Sequence, residues 1–291
     1  GVVEADGTRV TWSYDAASQL TGEHRGGAGG YRNTFTYDAA GNRTLKQEDA
    51  LRTTYVYDAA NQLSYSQAAA GRTTYVYDAD GNQQATQEPA GDRTTYVWDY
   101  ENRMSRALLP SGVRNTMAYE PDGLRVKLEE STGTKKFVWD DQNYLQQTDE
   151  SDNTQAEYTN EPDYYGNLIS HRESAATSFY QFDALGSTRA LANASETLLE
   201  TYNYGAWGTL PGSPTLLTPF LWVGRVGYHW DDESQNQYVR ARYYRPVVTR
   251  WVSVDIVLHI PPSAYIYADS EAITGADPSG LDPCRDRPPS P

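Results

Sequence analysis

A pair formed by an aromatic residue and aspartate recurs along the first half of the chain, and this periodicity constrains the fold more than any other feature. The pairs are Tyr14-Asp15, Tyr37-Asp38, Tyr57-Asp58, Tyr77-Asp78, Trp98-Asp99 and Trp139-Asp140, with Tyr119-Glu120 as a variant. Successive pairs are 23, 20, 20, 21, 21 and 20 residues apart. Such a period predicts an array of similar supersecondary units, each of which buries its apolar surface against its neighbours.

Each unit predicts a β-hairpin. In Thr-Thr-Tyr-Val-Tyr at 53–57, alternation places Tyr55 and Tyr57 on one face of a strand and Val56 on the other. The following Asp-Ala-x-Gly-Asn suits a tight turn, and a polar strand comes next. We expect the aspartates to cap turns, because a calcium loop needs several oxygens at close spacing. We expect the tyrosines to pack against the next hairpin rather than to bind sugars.

A further pair, Phe182-Asp183, lies 43 residues beyond Asp140 and leaves room for one degenerate unit between them. We find no convincing helical stripe in the repeat region, so we expect an all-β chain with less than about 15% helix.

Composition excludes several classes of function. A formal charge of -15 and the lack of a basic stripe argue against nucleic-acid binding. We find no apolar run long enough to span a membrane and no signal peptide, and we interpret the start at Gly1 as that of a partial or processed chain. The single cysteine, Cys284, has no partner for an internal disulfide. The four histidines lack ligand spacing, so we predict no metal and no cofactor.

The sequence stops repeating towards the C-terminus. There it reads FDALGSTRAL, VGRVGYHWDDESQNQYVRARYYRP, TRWVSVDI and AYIYADSEAITGADPSGL, in that order. The repeats resemble YD repeats, including those of teneurins, and these segments resemble the Rhs repeat-associated core domain of bacterial Rhs and toxin-complex shells. The resemblance implies an all-β fold, with a curved or spiral antiparallel sheet of YD-repeat hairpins closed by an Rhs core domain. It divides the chain into a repeat region at 1–177, a core domain at 178–281 and a proline-rich tail at 282–291.

Many members of that family cut themselves after a D-P-x-G-L signature by an aspartyl-protease-like reaction. The resemblance therefore implies cleavage between Leu281 and Asp282, after DPSGL, with Asp255, Asp277 and Arg242 as candidate catalytic residues. In toxin-complex relatives an acid follows the arginine, whereas Tyr243 follows it here. The second carboxylate would then come from Asp277, or alternatively from one of the neighbours Asp231 and Asp232. At most, we expect an intramolecular autoprotease.

The candidate arginines carry a prediction of their own. Arg240 and Arg242 alternate with Val239 and Ala241, so we expect both on one face of a single strand. We expect both to pair with carboxylates such as Asp255 or Asp277, and the alternative is that they are solvated.

Two functions remain open. The first is a piece of a secreted or cell-surface bacterial toxin shell, with a C-terminal toxin cargo that this chain does not contain. The second is a structural or adhesive fibre subunit that has lost cargo and cleavage. Open sheet edges would pair with other repeat segments or with further copies of the chain.

Overall fold

The computed structural model describes residues 1–4, 7–27, 29–212, 214–257, 264–271 and 273–281. The predicted positions Asp282 and Cys284, together with His259, lie outside these residues.

Strands dominate the described residues. The strands of the large sheet are β1 (Val2–Val3), β2 (Arg9–Tyr14), β3 (Leu20–Arg25), β4 (Tyr31–Tyr37), β5 (Arg43–Glu48), β6 (Leu51–Tyr57), β7 (Leu63–Ala68), β8 (Gly71–Tyr77), β9 (Gln83–Gln87), β10 (Arg93–Trp98), β11 (Met104–Leu108), β12 (Arg114–Tyr119), β13 (Arg125–Glu130), β14 (Gly133–Asp140), β15 (Asn143–Thr148), β16 (Thr154–Asn160), β17 (Leu168–Glu173), β18 (Ala176–Phe182), β19 (Thr188–Asn193) and β20 (Leu198–Thr201). A small sheet contains β21 (His229–Asp231), β22 (Asn236–Val239), β23 (Arg242–Arg245) and β24 (Arg250–Trp251). Among the described residues, the helical elements are two single-turn 3-10 helices, Gly224–Val226 and Ala268–Ser270.

The large sheet is a meander of 20 strands. Each strand from β1 to β20 pairs antiparallel with the next one in the chain. The prediction of an all-β chain with successive hairpins is confirmed. The predicted division between 177 and 178 lies within β18, where the sheet is continuous, and that division stays a prediction.

The recurring aspartates from Asp15 to Asp99 cap turns, as predicted. In the turn after β4, one oxygen of Asp38 accepts hydrogen bonds from the backbone N–H groups of Ala40 and Asn42, both at 2.9 Å. The same pattern occurs at Asp58 and Asp78, with distances of 2.8 to 3.0 Å. A short carboxylate can satisfy two backbone donors of its own turn, which explains why aspartate recurs at this position.

In five of the pairs, the aromatic residue donates a hydrogen bond that ties its hairpin to the preceding one. The Tyr37 hydroxyl donates to the Leu20 carbonyl at 2.7 Å, and the Trp139 indole N–H donates to the Arg125 carbonyl at 3.0 Å. Tyr57, Trp98 and Tyr119 make the equivalent bonds at 2.7 to 2.9 Å. Tyrosine and tryptophan combine a ring that packs with a donor at its edge, whereas phenylalanine has no such donor.

The predicted degenerate unit is the hairpin β16–β17. Asn160 stands where other units carry an aromatic residue, and its side-chain amide donates to the Tyr144 carbonyl at 2.8 Å. The unit therefore keeps the hydrogen bond to the preceding hairpin although it has lost the aromatic ring.

The two ends of the large sheet meet. Glu4, directly after β1, pairs with Arg25 on β3 and with Arg189 on β19, the latter at 3.0 Å. Neighbouring strands are about 4.8 Å apart, so a flat sheet would place β1 and β19 roughly 85 Å apart. The sheet therefore curls through nearly a full turn, and its predicted curvature is confirmed.

The hydrophobic core lies between one face of the large sheet and the residues that follow β20. Aromatic rings dominate it: Trp222 stacks on Tyr244 at 5.3 Å between centroids, and Tyr267 lies 4.5 Å from Tyr244. The same C-terminal residues reach the turns that follow the aromatic–Asp pairs. For example, the Tyr265 hydroxyl donates to the Gly81 carbonyl at 2.8 Å, and Arg250 donates to the Asn61 carbonyl at 2.6 Å.

Candidate functional site

A tight hairpin positions the candidate arginines. Val239 at the end of β22 pairs directly with Arg242 at the start of β23, so Arg240 and Ala241 form a two-residue turn. Arg240 has a φ of 44°, in the left-handed region that such turns use. The prediction of one strand with both arginines on the same face is therefore wrong, because the chain reverses between them.

Arg242 brings Asp255 and Asp277 together. Its Nη2 lies 2.8 Å from Oδ2 of Asp255 and 3.5 Å from Oδ2 of Asp277. Since both oxygens contact the same nitrogen, they lie at most 6.3 Å apart, the sum of the two contacts. The side chains are buried, with exposed fractions of 3% for Arg242 and 0% for both carboxylates. The predicted pairing of Arg242 with these carboxylates is confirmed.

Burial governs the electrostatics of this trio. It lowers the pKa of Arg242, while the nearby carboxylates Asp255 and Asp277 act in the opposite direction. The guanidinium also lies 4.2 Å from the centroid of Trp251, which shields it further from water. One cation between two buried carboxylates is an arrangement in which electrostatic interactions are strong, because little water screens them.

Asp277 also closes the turn of the DPSGL segment. Its Oδ1 accepts hydrogen bonds from the Ser279 hydroxyl and from the Gly280 N–H, both at 2.9 Å. The Ser279 hydroxyl oxygen in turn accepts the Leu281 N–H at 3.0 Å. The candidate cleavage position is thus linked to Asp277 through a single hydroxyl.

Arg240 makes a different set of contacts from the one predicted. It is buried, with 5% of its surface exposed, but its guanidinium donates to the backbone carbonyls of Gln142, Val226 and Pro278 at 2.6 to 3.0 Å. The predicted carboxylate partner is therefore wrong for Arg240. Three backbone carbonyl oxygens converge on Arg240 in the core and accept hydrogen bonds from its guanidinium N–H groups. These donors are therefore satisfied by groups that carry no formal negative charge.

Asp231, one of the alternative partners for Asp255, belongs to a second buried cluster. Arg125 on β13 donates to it through both terminal nitrogens at 2.5 and 2.9 Å, and Nδ1 of His229 lies 2.8 Å away. Burial acts to raise the pKa of Asp231, but Arg125 and His229 outweigh it and lower the pKa to about 2. Burial lowers the pKa of His229 to about 4. Asp231 therefore pairs with Arg125 of the large sheet and does not join Asp255. Arg125 was not among the functional residues predicted from the sequence.

Tyr243 lies on the opposite face of β23 from Arg242. Its hydroxyl is 3.0 Å from Nη1 of Arg125 and 3.4 Å from the Tyr119 hydroxyl. An acid at this position would face Arg125 and not the Arg242 site. The substitution by tyrosine therefore leaves the pair of carboxylates at Arg242 complete.

Among the described residues, no group of three or more His, Cys, Asp or Glu side chains is arranged to hold a metal ion. None of the helices in the same residues has the length and apolarity required to cross a bilayer.

Comparison with known proteins identifies a family and several proteins that this chain resembles. The model of the family described as Teneurin YD-shell matches residues 2–260. Among curated proteins, the chain is 26% identical over 172 residues to the tRNA3(Ser)-specific nuclease WapA of Bacillus spizizenii, and 24% identical over 172 residues to the tRNA nuclease WapA of Bacillus subtilis strain 168. Each match covers 56% of this chain, and the chain spans only about 7% of the length of these relatives.

Solved structures share the fold. A crystal structure of TcdB2-TccC3 superposes with a TM-score of 0.52 at 15% identity, over 95% of this chain and 19% of that chain. A structure of the Photorhabdus luminescens Tc holotoxin pore gives a TM-score of 0.51 at 15% identity, over 97% of this chain and 18% of that chain. The curled meander with its packed C-terminal residues therefore shares its fold with the matched part of these proteins.

Proposed function

This chain belongs to the Teneurin YD-shell family, and on that premise we propose that it is part of a toxin-enclosing β-shell that cleaves itself between Leu281 and Asp282. The single observation that carries the proposal is the convergence of Asp255 and Asp277 on one buried guanidinium, with Asp277 four residues before Leu281 in the chain. Peptide hydrolysis by carboxyl groups needs two of them at one site. The fold shared with toxin-complex proteins supports the shell role.

In the proposed reaction, one carboxylate accepts a proton from water while the water oxygen attacks the Leu281 carbonyl carbon. The other carboxyl group gives a proton to the amide nitrogen of Asp282. The carbon–nitrogen bond then breaks, leaving a carboxyl group on Leu281 and an amine on Asp282. Arg242 holds the two carboxyl groups in place and offsets their mutual repulsion.

Intact-mass analysis tests this proposal. Wild-type chain, Asp255→Asn and Asp277→Asn are each incubated from acid to neutral pH. We expect a wild-type product that ends at Leu281, and only full-length mass in both variants. The urea midpoint of each variant shows that it is folded. A wild-type chain that keeps its full-length mass throughout would refute self-cleavage.

One observation favours a second function, a structural or fibre-forming scaffold without cleavage. Oδ1 of Asp277 is engaged by the Ser279 hydroxyl and the Gly280 N–H, which is the arrangement that a turn-capping aspartate adopts without any catalysis. Full-length mass in the wild type, combined with a lower urea midpoint for Asp277→Asn, would assign Asp277 a structural role and support this second function over cleavage.

The proposed shell acts outside the cell or at its surface, together with further repeat segments and a C-terminal toxin. The names of the WapA relatives, which are nucleases, support a toxic cargo elsewhere in such chains. The core residues that contact the repeat turns would close one end of the shell. Sedimentation analysis of the chain alone tests pairing through open sheet edges, for which we expect dimers or larger species.

A further inference from the structure

We infer that the hairpin turn Arg240–Arg242 is a backbone template that selects the peptide bond to be cut, with Arg240 as its positioning residue. This inference rests on the proposed self-cleavage and identifies the residues that determine its position. The template holds the segment 277–281 through main-chain carbonyls, so it recognises the register of the chain more than the identity of its side chains.

The register follows from three hydrogen bonds in a row. The pairs are the Arg240 guanidinium with the Pro278 carbonyl at 2.6 Å, the Ala241 N–H with the Ser279 carbonyl at 3.3 Å, and Nε of Arg242 with the Gly280 carbonyl. Each donor and its acceptor are 38 residues apart. A slip of one residue would move all three carbonyls away from their donors at once, and buried carbonyls without donors are costly.

The upstream end of the segment is held separately. The Tyr228 hydroxyl accepts the Asp277 N–H at 2.8 Å and donates to the Asp277 carbonyl at 2.8 Å. Tyr228 is itself 1% exposed and lies 3.1 Å from the Tyr267 hydroxyl. The segment is therefore fixed at Asp277 and again along the hairpin turn.

The template leaves no room for a side chain at position 280. Gly280 has a φ of 75°, and a Cβ atom placed there would lie 2.3 Å from the Val239 carbonyl oxygen. A non-glycine residue would be strained in this left-handed conformation and would also collide with the backbone of β22. The close approach of residue 280 to the Val239 carbonyl oxygen therefore requires glycine at this position.

Arg240 connects the template to the rest of the molecule. The same guanidinium that binds Pro278 also donates to the carbonyls of Gln142, in a turn of the large sheet, and Val226. A guanidinium offers several donors in one rigid plane, whereas a lysine ammonium is a single flexible point. Arg240 therefore fixes the segment 277–281 relative to the large sheet.

Cleavage position and rate in matched variants test the template. The variants are Arg240→Met, Arg240→Lys and Gly280→Ala, with Arg114→Met on an exposed arginine as the control. Because displacement of a reacting group by about 1 Å costs roughly 100-fold in rate, we expect about that loss at Leu281 in Arg240→Met and Gly280→Ala. We also expect products with other C-termini, partial rescue by Arg240→Lys, and a control that matches the wild type.

Hydrogen exchange on full-length chains separates this inference from the proposed function. We expect faster exchange in the peptides that cover 240–242 and 277–281 for Arg240→Met and Gly280→Ala, and wild-type exchange for Arg114→Met. If the wild-type chain shows no cleavage but exchange responds in this way, self-cleavage is refuted, whereas the binding of segment 277–281 to the hairpin turn is supported. Unchanged exchange in both variants, or cleavage at Leu281 with the wild-type rate, overturns the template.

Discussion

Replacement of Arg125 should disrupt the attachment of the small sheet to the large one. Its side chain and that of Asp231 are both 0% exposed, and the two terminal nitrogens of Arg125 contact the two oxygens of Asp231. Removing one partner of a buried ion pair leaves the other without compensation, which typically costs about 3–5 kcal/mol. We therefore expect Arg125→Met to lower the free energy of unfolding by about that amount.

The double variant Arg125→Met, Asp231→Leu makes this test specific. A buried ion pair replaced by apolar residues of similar size is often neutral or stabilising, so the double variant should be more stable than Arg125→Met alone. The control is Lys136→Met, which removes an ion pair to Asp152, whose side chain is 77% exposed. Urea unfolding measures all three, and the control should lose less than about 1 kcal/mol. If Arg125→Met lowers the free energy of unfolding by less than about 1 kcal/mol, or if the double variant is less stable than Arg125→Met, the reasoning is refuted.

Two further perturbations test the repeat unit and the buried histidine. Tyr37→Phe removes the hydrogen bond to the Leu20 carbonyl and should lower the free energy of unfolding in urea by about 1 kcal/mol. Tyr14→Phe, at a half-exposed tyrosine of the first unit, should lower it only slightly. Equal costs in the two variants would contradict the proposed hydrogen bond between hairpins. Since the pKa of His229 falls from 6.5 to about 4 on folding, the unfolded chain binds the extra proton between those values. The contribution of His229 to the free energy of unfolding should therefore be fully present above pH 6.5 and decline by up to about 3 kcal/mol as the pH falls to 4. His229→Gln should reduce this decline, whereas the exposed control His24→Gln should leave it unchanged. The same decline in both variants would exclude His229 as its source.

The repeat architecture was predictable because its determinants are local. Asp38 caps a turn with donors two and four residues away, and alternation within β6 places Tyr55 inside and Val56 outside. The degenerate unit was predictable from spacing, although the role of Asn160 was not.

The site was predictable only in part. The pairing of Arg242 with Asp255 or Asp277 was predictable because a guanidinium in a packed core favours carboxylate partners. The reversal at Arg240 was missed because an arginine at positive φ carries no turn signal of the kind that glycine or asparagine provides. The contact between Arg125 and Asp231 joins residues 106 positions apart. Such contacts depend on how far the sheet curls, and the sequence of a single repeat does not encode that.

We propose that water, activated by two carboxyl groups, cuts the chain after Leu281. Incubation in water labelled with heavy oxygen tests it directly, because hydrolysis places one oxygen atom of the solvent in the new carboxyl group. We predict that the wild-type fragment ending at Leu281 carries the label in its C-terminal peptide, and that Asp255→Asn yields no such fragment. A full-length wild-type chain, or an equally labelled fragment from Asp255→Asn, would contradict the claim.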